Sequence, residues 1–322
     1  MRVLITGVGG ELGTRVASLL EADHTVDAIL GLDAYPPRRL LRRTHFQRID
    51  PRDRRRTVAA IDEFAPTAML HLGIYEPAAR SRPGVADKQT AAGAVAALGA
   101  ASESPTLDRI VIRSGIEIYG RGRWTPTRPD ETTPPAPTSG FGRSLLHVES
   151  VAEHAGRAAD VPVTAVRCAP IVGPHFPSPL GRYLRMHLVP ISLWSGLPFS
   201  LLHQEDAAES LVAALRARRH GPVNVVGDGA VTAWQAARIG GRIPVPVVGP
   251  GWLLAGAGSE ILGSPLPDHV RELLTRGRVA DGGMAEEILG MSPAIRTDEV
   301  VRNLFEWPSV VYIEPTRDEA AA

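Results

Sequence analysis

The residues best suited to hold a ligand come first in the chain. Thr6-Gly7-Val8-Gly9-Gly10-Glu11-Leu12-Gly13 follows the apolar run Arg2–Thr6 and opens the helical pattern Leu12–Ala22. Glycines at 7, 10 and 13 permit a tight turn, a close backbone approach to a diphosphate, and close helix–strand packing. The N–H groups at the helix start, through Gly10, Glu11, Leu12 and Gly13, together with the helix dipole, favour negative charge there. Asp33 ends the next apolar run, twenty residues after Gly13. A carboxylate at that place accepts hydrogen bonds from a ribose 2′-hydroxyl. The pattern implies a dinucleotide site. Asp33 repels a 2′-phosphate and so favours NAD, while Arg38 and Arg39 keep NADP as the lesser alternative. A structural glycine turn beside a surface aspartate is the competing reading.

Other chemistries lack their residues. Cys168 is the only cysteine, which excludes an internal disulfide and a multi-cysteine metal site, and its apolar setting reads as a core thiol. There is no His-Glu-x-x-His, no clustered carboxylate set and no Gly-x-Ser-x-Gly elbow, so neither a metal nor a hydrolase nucleophile is expected. Lys88 is the only lysine, so any mechanism that needs a lysine must use it. Lys+Arg and Asp+Glu both number 35, and a formal net charge of zero offers no basic field for nucleic acid.

The elements that position the turn follow from periodicity. Arg2–Thr6, Ala28–Asp33, His45–Ile49, Thr67–Leu72, Arg109–Ser114 and Val161–Cys168 read as strands. Leu12–Ala22, Arg54–Phe64, Ala86–Ala101 and Ser144–Ala159 read as the helices between them. This alternation predicts an α/β, Rossmann-type, doubly wound parallel sheet. Asp206–Arg219 is a further helix, capped by Asp206 and stopped at Gly221-Pro222, and Val223–Val226 is one more strand of the sheet. Residues 1–170 then form a dinucleotide-binding domain to which 203–226 return. Residues 171–202 and 227–322 form a smaller C-terminal substrate lobe, with 314–322 as a frayed polar tail. Pro126–Pro137 is a proline-rich loop. The apolar stretches Leu188–Leu202 and Val245–Leu254 are broken by prolines and are too short to span a membrane, and residues 1–5 read as a strand, not a signal peptide. A cytoplasmic protein is expected.

The ordered series resembles the extended short-chain dehydrogenase/reductases, and within them the UDP-glucose 4-epimerase-like proteins of the NAD-dependent epimerase/dehydratase family. The likeness rests on Thr6–Gly13, Asp33, Asp50, His71-Leu72-Gly73, Ile118-Tyr119-Gly120, Arg167–Pro174, Leu202–Asp206, and Asn224 with Gly227 and Gly229. It implies that Asp50, Leu72 and Gly73 lie along the adenosine and diphosphate. It also implies a nucleotide-sugar substrate and a homodimer through helices near 87–103 and 142–158.

The family's acid–base pair is a tyrosine four residues before a lysine, helped by a serine. In the matching stretch Ser139–Leu145, Phe141 stands for the tyrosine and Leu145 for the lysine. Tyr35, Tyr75, Tyr119, Tyr183 and Tyr312 are followed four residues later by Arg39, Ala79, Arg123, His187 and Thr316, so no Tyr-x-x-x-Lys exists in the chain. The serine position falls on Gly115, with Ser114 one residue off and on the opposite strand face. The helix-borne asparagine becomes Gln89, and the asparagine before Pro170 becomes Ala169. Phe141 carries no proton at any pH, and losing a general acid–base group costs about 10²–10⁴ in rate.

Substitutes could come from the strand ends or from the small lobe. Ser114 and Glu117 sit where the fifth strand runs out, Glu117 as a base or as a solvated loop carboxylate. Tyr119 reads as a packed aromatic, and His147 as a surface residue. Tyr183 and His187, at i and i+4, share a helical face, for a role at the substrate or in lobe packing. His203 and Asp206 read as a tie between lobes, Arg167 as an ion-pair partner, and Arg182 and Arg185 as diphosphate contacts. Two functions follow: an NAD(P)-dependent epimerase or oxidoreductase with unorthodox proton carriers, or a dinucleotide-binding sensor or partner protein without turnover. A scaffold with 188–202 as its interface is a third.

Overall fold

A computed structural model describes residues 1–79, 82–194, 196–248 and 264–305. Seven strands form one parallel sheet: β1 (Arg2–Thr6), β2 (Ala28–Asp33), β3 (Thr44–Arg48), β4 (Ala68–His71), β5 (Arg109–Gly115), β6 (Val163–Cys168) and β10 (Gly221–Val225), in the order β10-β6-β5-β4-β1-β2-β3. β4 and β6 are buried along their whole length, as expected of parallel strands covered on both faces. Helices α1 (Glu11–Glu21), α2 (Arg54–Phe64), α3 (Pro83–Ser102), α4 (Gly140–Ala159) and α6 (Gln204–Ala217) supply the cover. The order reverses direction between β1 and β4, which opens the crevice where ligands settle in such sheets.

Helix ends differ most from the sequence expectation, and caps explain the differences. Ser139, not a residue near 144, starts α4: its hydroxyl accepts from the Gly142 N–H. Phe141 and Leu145 therefore share the first turns of α4 and one face. Asp206 does not cap α6. His203 does, accepting from the Glu205 N–H, while the Asp206 carboxylate accepts from the N–H groups of Ala294 and Ile295 at 3.0 and 3.1 Å. Asp206 thus ties α6 to the later chain, the role the resemblance assigned to this segment.

A second cluster of buried apolar side chains gathers α5 (Pro179–Leu184), β8 (Leu188–Ser192), α7 (Ala233–Ile239), α8 (Asp268–Arg276) and α10 (Thr297–Phe305) around Tyr183, Phe199 and Leu201. β8 pairs in parallel with β11 (Ile243–Val247), and the two-residue strands β7 (Ile171–Val172) and β9 (Leu202–His203) pair beside them. The later chain does not stay in this lobe. Ala280, Ala285 and Leu289, around α9 (Met284–Leu289), pack with the main sheet's core instead. The tail 314–322 and part of Val245–Leu254 lie outside the described residues. No helix among the described residues is long and apolar enough to cross a membrane.

Candidate functional site

The glycine turn is built by collisions that larger side chains would suffer. Gly7 has φ +81, and a Cβ there would lie 2.6 Å from the Leu72 carbonyl carbon. A Cβ on Gly13 would lie 2.1 Å from the Gly7 oxygen. Gly9, which the triplet reading passes over, is as constrained: its Cβ would meet the Tyr35 oxygen at 2.1 Å, and its N–H donates to Asp33 Oδ2 at 2.9 Å. The other Asp33 oxygen accepts from the Tyr35 N–H at 3.0 Å. Two backbone donors thus fix the carboxylate at the end of β2.

Over the turn lies a cleft of about 430 Å³. Gly7, Gly10, Glu11, Leu12, Gly13, Asp33, Leu72 and Gly73 all line it, as do Arg38 and Gln89. Asp50 is not among the lining residues. Its carboxylate is held by Arg52 through Nε at 2.9 Å and Nη2 at 2.7 Å, which brings its pKa to about 2. Arg39 stands 3.9 Å from Glu11. Beneath the turn, Thr6 Oγ1 and His71 Nδ1 share a 2.7 Å hydrogen bond, and burial lowers the His71 pKa to about 4. A histidine held neutral in the fold but free to charge when unfolded costs stability in acid. Melting temperature should fall steadily as pH drops from about 6.5 to about 4. In His71→Leu, a smaller fall over that window, measured by circular dichroism, checks this; an unchanged fall refutes it.

Beside the start of α4 the chain has an inner cavity of about 20 Å³, room for about one water molecule. Phe141, Leu145, Gly115 and Ala169, the positions the resemblance matches to the family's tyrosine, lysine, serine and asparagine, line it. At Gly115, which the resemblance matches to the family's serine, a Cβ would lie 2.3 Å from Glu117 Oε2. Glu117 is not a solvated loop carboxylate. It is 5% exposed, on a single 3₁₀ turn, with Arg278 Nη1 3.7 Å away. Arg278 in turn donates to Glu272 at 2.7 Å. The ring of His269, from α8, stacks on Phe141 with centroids 4.8 Å apart, and its Nε2 donates to Glu76 Oε1 at 3.1 Å.

The other sequence candidates are structural. Ser114 lines the cavity, but its hydroxyl donates to Glu149 Oε1 at 2.5 Å. Glu149 accepts two bonds from Arg167, at 3.0 and 2.8 Å, and Arg167 reaches the Tyr119 hydroxyl, which donates to Asn224. Arg167 is thus the ion-pair partner expected. Tyr183 is fully buried in the small lobe, with its hydroxyl on the Pro190 oxygen at 2.7 Å, and it does not line the cavity. α5 ends at Leu184, so exposed His187 shares no helical face with it. Arg182 donates to the oxygens of Ala78 and Ala79, and Arg185 to those of Leu304, Gly173 and Pro174, so neither is held for a diphosphate. Cys168 is a buried thiol pushed up to about 12 by burial. Among the described residues no set of three His, Cys, Asp or Glu side chains is placed to hold a metal ion.

Sequence reasoning missed Glu76, Arg113, His269 and Arg278. Glu76 was within reach, because it follows the C-terminal end of β4, where such sheets place ligands. His269 carries no local signal: tertiary contact alone brings α8 onto Phe141.

A model of the NAD dependent epimerase/dehydratase family matches residues 3–227. Uncharacterised proteins of Mycobacterium tuberculosis and Mycobacterium bovis are 30% identical over 94% of this chain and 83% of their own length. The UDP-glucose 4-epimerase of Thermotoga maritima, solved with UDP-glucose, superposes with a TM-score of 0.72 at 18% identity, over 94% of this chain and 97% of its own. That of Thermus thermophilus, solved with NAD, gives 0.72 at 20% identity over 95% and 98%. The dTDP-glucose 4,6-dehydratase of Bacillus anthracis, also with NAD, gives 0.71 at 18% identity over 95% and 96%. At these identities the structures share a fold, and the family match over most of the chain does the rest: the chain belongs to the NAD dependent epimerase/dehydratase family.

Proposed function

We propose that the chain binds NAD(H) in the cleft and acts on a hydroxyl or carbonyl group at the cleft's inner end, with ionisable residues in place of the family's tyrosine and lysine. The observation that carries this reading is that Glu76 and Arg113 line both the cofactor cleft and the inner cavity. The residues present fit a dinucleotide. Gly7, Gly10 and Gly13 leave the space that Cβ atoms would fill, and the N–H groups of Glu11 and Leu12, with Leu72 and Gly73, would hold the diphosphate. Asp33 takes the adenosine ribose and favours NAD over NADP. When bound, the dinucleotide supplies hydride exchange. Nucleotide sugars are the first substrates to try, since the Thermotoga neighbour holds UDP-glucose. The same reading includes a homodimer through α3 and α4, which pack side by side.

A second reading, a dinucleotide-binding sensor or partner protein without turnover, draws support from the inner cavity. At about 20 Å³ it takes one oxygen-sized group and no sugar ring. Calorimetry with NAD⁺, NADH and NADPH comes first, and no heat from any of them sinks both readings. Mixing the protein with NAD⁺ and UDP-glucose, UDP-glucuronic acid or dTDP-glucose, while following nicotinamide absorbance and products, separates the two.

Restoring the family's residues should not help. Leu145 is 1% exposed and lines a cavity of about 20 Å³, so a lysine ammonium there would be buried in a space that Glu117, with Arg278 3.7 Å away, already shares. Phe141→Tyr with Leu145→Lys is expected to give no gain in turnover and a lower melting temperature. A gain of more than about tenfold in rate would show that the pocket is only a worn copy of the family's.

A further inference from the structure

We infer that His269 and Glu76 form the acid–base pair of the inner cavity, passing a proton to and from one oxygen atom held there. The inference rests on the reading above.

His269 belongs to the small lobe, yet its ring lies against the side chain that stands for the lost tyrosine. Nε2 is committed to Glu76 at 3.1 Å, while Nδ1 makes no hydrogen bond and has Asp268 Oδ1 3.7 Å away. One nitrogen is therefore anchored by a hydrogen bond, and the other has only the looser Asp268 carboxylate beside it, an arrangement that lets an imidazole exchange a proton without losing its orientation. Backbone links set the ring's place: Asp268 Oδ2 accepts from the Gly140 N–H at 2.8 Å, one residue before Phe141. Glu76 lines both cavity and cleft, so it connects the pair to the cofactor side.

The charges facing the ring come from every neighbouring element: Glu76 after β4, Asp268 and Glu272 on α8, Glu117 on the 3₁₀ turn, Arg113 on β5 and Arg278 behind α8. Burial alone would lower the His269 pKa, but the carboxylates of Asp268 and Glu76, with Glu117 beyond, hold it up to about 9. Near neutrality the ring carries its proton and is set to donate. The cavity admits one oxygen-sized group, so the ligand class is a carbonyl or hydroxyl oxygen whose remaining bulk lies on the cofactor side. When a carbonyl is reduced, its oxygen takes the imidazolium proton and the ring becomes neutral, the hydride coming from the reduced dinucleotide. Water in the cleft then returns the proton. Oxidation of a hydroxyl runs the reverse course and needs the neutral ring.

The test uses the full chain. Proton NMR of wild type and His269→Gln should show an imidazole that titrates near pH 9, absent from the variant. That signal should move on adding NAD⁺, and titrate lower in Glu76→Gln. With NAD⁺ and the nucleotide sugars above, His269→Gln and Glu76→Gln should lower turnover by about 10²–10⁴, with NAD⁺ affinity changed less than roughly threefold. Added imidazole should restore part of the rate in His269→Ala, and the pH–rate profile should flatten in His269→Gln. A His269 signal titrating at or below 6.5, or unmoved by NAD⁺, overturns the inference, as does turnover retained in both variants. So does NAD⁺ binding without turnover of any of these sugars. Failure of the wild type to bind NAD⁺ removes the reading beneath it as well.

Discussion

Gly13→Ala should weaken NAD⁺ binding by about a hundredfold or more. A Cβ at this position would stand 2.1 Å from the Gly7 oxygen and 2.8 Å from the Gly7 carbonyl carbon and the Val8 Cα. All three are backbone atoms, so no side chain can swing aside. The first turn of α1 has to move away from β1, and the N–H groups that face the cleft move with it. A loss of about 3 kcal/mol or more, roughly a hundredfold in affinity, is expected by calorimetry. Gly99→Ala on α3 is the matched control. A Cβ there meets nothing within 4 Å, so the change should stabilise the helix slightly and leave affinity alone. Wild-type affinity in Gly13→Ala would mean that the turn is not the diphosphate site.

The second large effect is on stability. Arg167 and Glu149 are 5% and 7% exposed and joined by two hydrogen bonds, and Ser114 and Tyr119 share the same network. Arg167→Ala leaves the Glu149 carboxylate buried without its partner, a change that costs about 3–5 kcal/mol. Melting temperature should fall by on the order of 5–15 °C. Arg167→Met with Glu149→Leu removes both charges and keeps the volume, so it should recover most of the loss. If the double variant melts no higher than the single one, the pair is not what the cost comes from. Tyr119 hydroxyl bonding to Asn224 makes the same network a bridge between β10 and the 3₁₀ turn that carries Glu117. Part of the lost stability should therefore appear as disorder around the inner cavity.

Much of this was legible in the sequence because the sheet is made of local signals. β1, β2 and α2 have the bounds that apolar runs and helical spacing give, since buried parallel strands are written as continuous apolar stretches. The cleft over the glycine turn was legible for the same reason: Gly7, Gly10, Gly13 and Asp33 belong to short-range patterns, and all four line it. Asp50 was not, because its neighbour Arg52 captures the carboxylate, and a two-residue side-chain pairing leaves no trace in periodicity. The inner cavity was legible only in part. Phe141, Leu145 and Gly115 stand at the positions the resemblance matches to the family's tyrosine, lysine and serine. What fills the space comes from Glu117, two residues along, and from His269, 128 residues beyond Phe141 in the chain and brought there by the packing of α8. Ser114 and Tyr183 are chemically able residues whose hydroxyls are spent on Glu149 and the Pro190 oxygen, which only coordinates reveal.

The path of the chain between its two apolar clusters has a further consequence. It leaves the main sheet after β6, returns for α6 and β10, leaves again, comes back with Ala280–Leu289, and the described residues close with α10 in the second cluster. Neither lobe is a contiguous stretch that could be cut out and kept whole. Removing Ala280–Leu289 strips cover from the edge of the sheet, and removing Gly221–Val225 takes away an edge strand. Such lacing predicts that the two bodies melt together as one cooperative unit, seen as a single calorimetric transition.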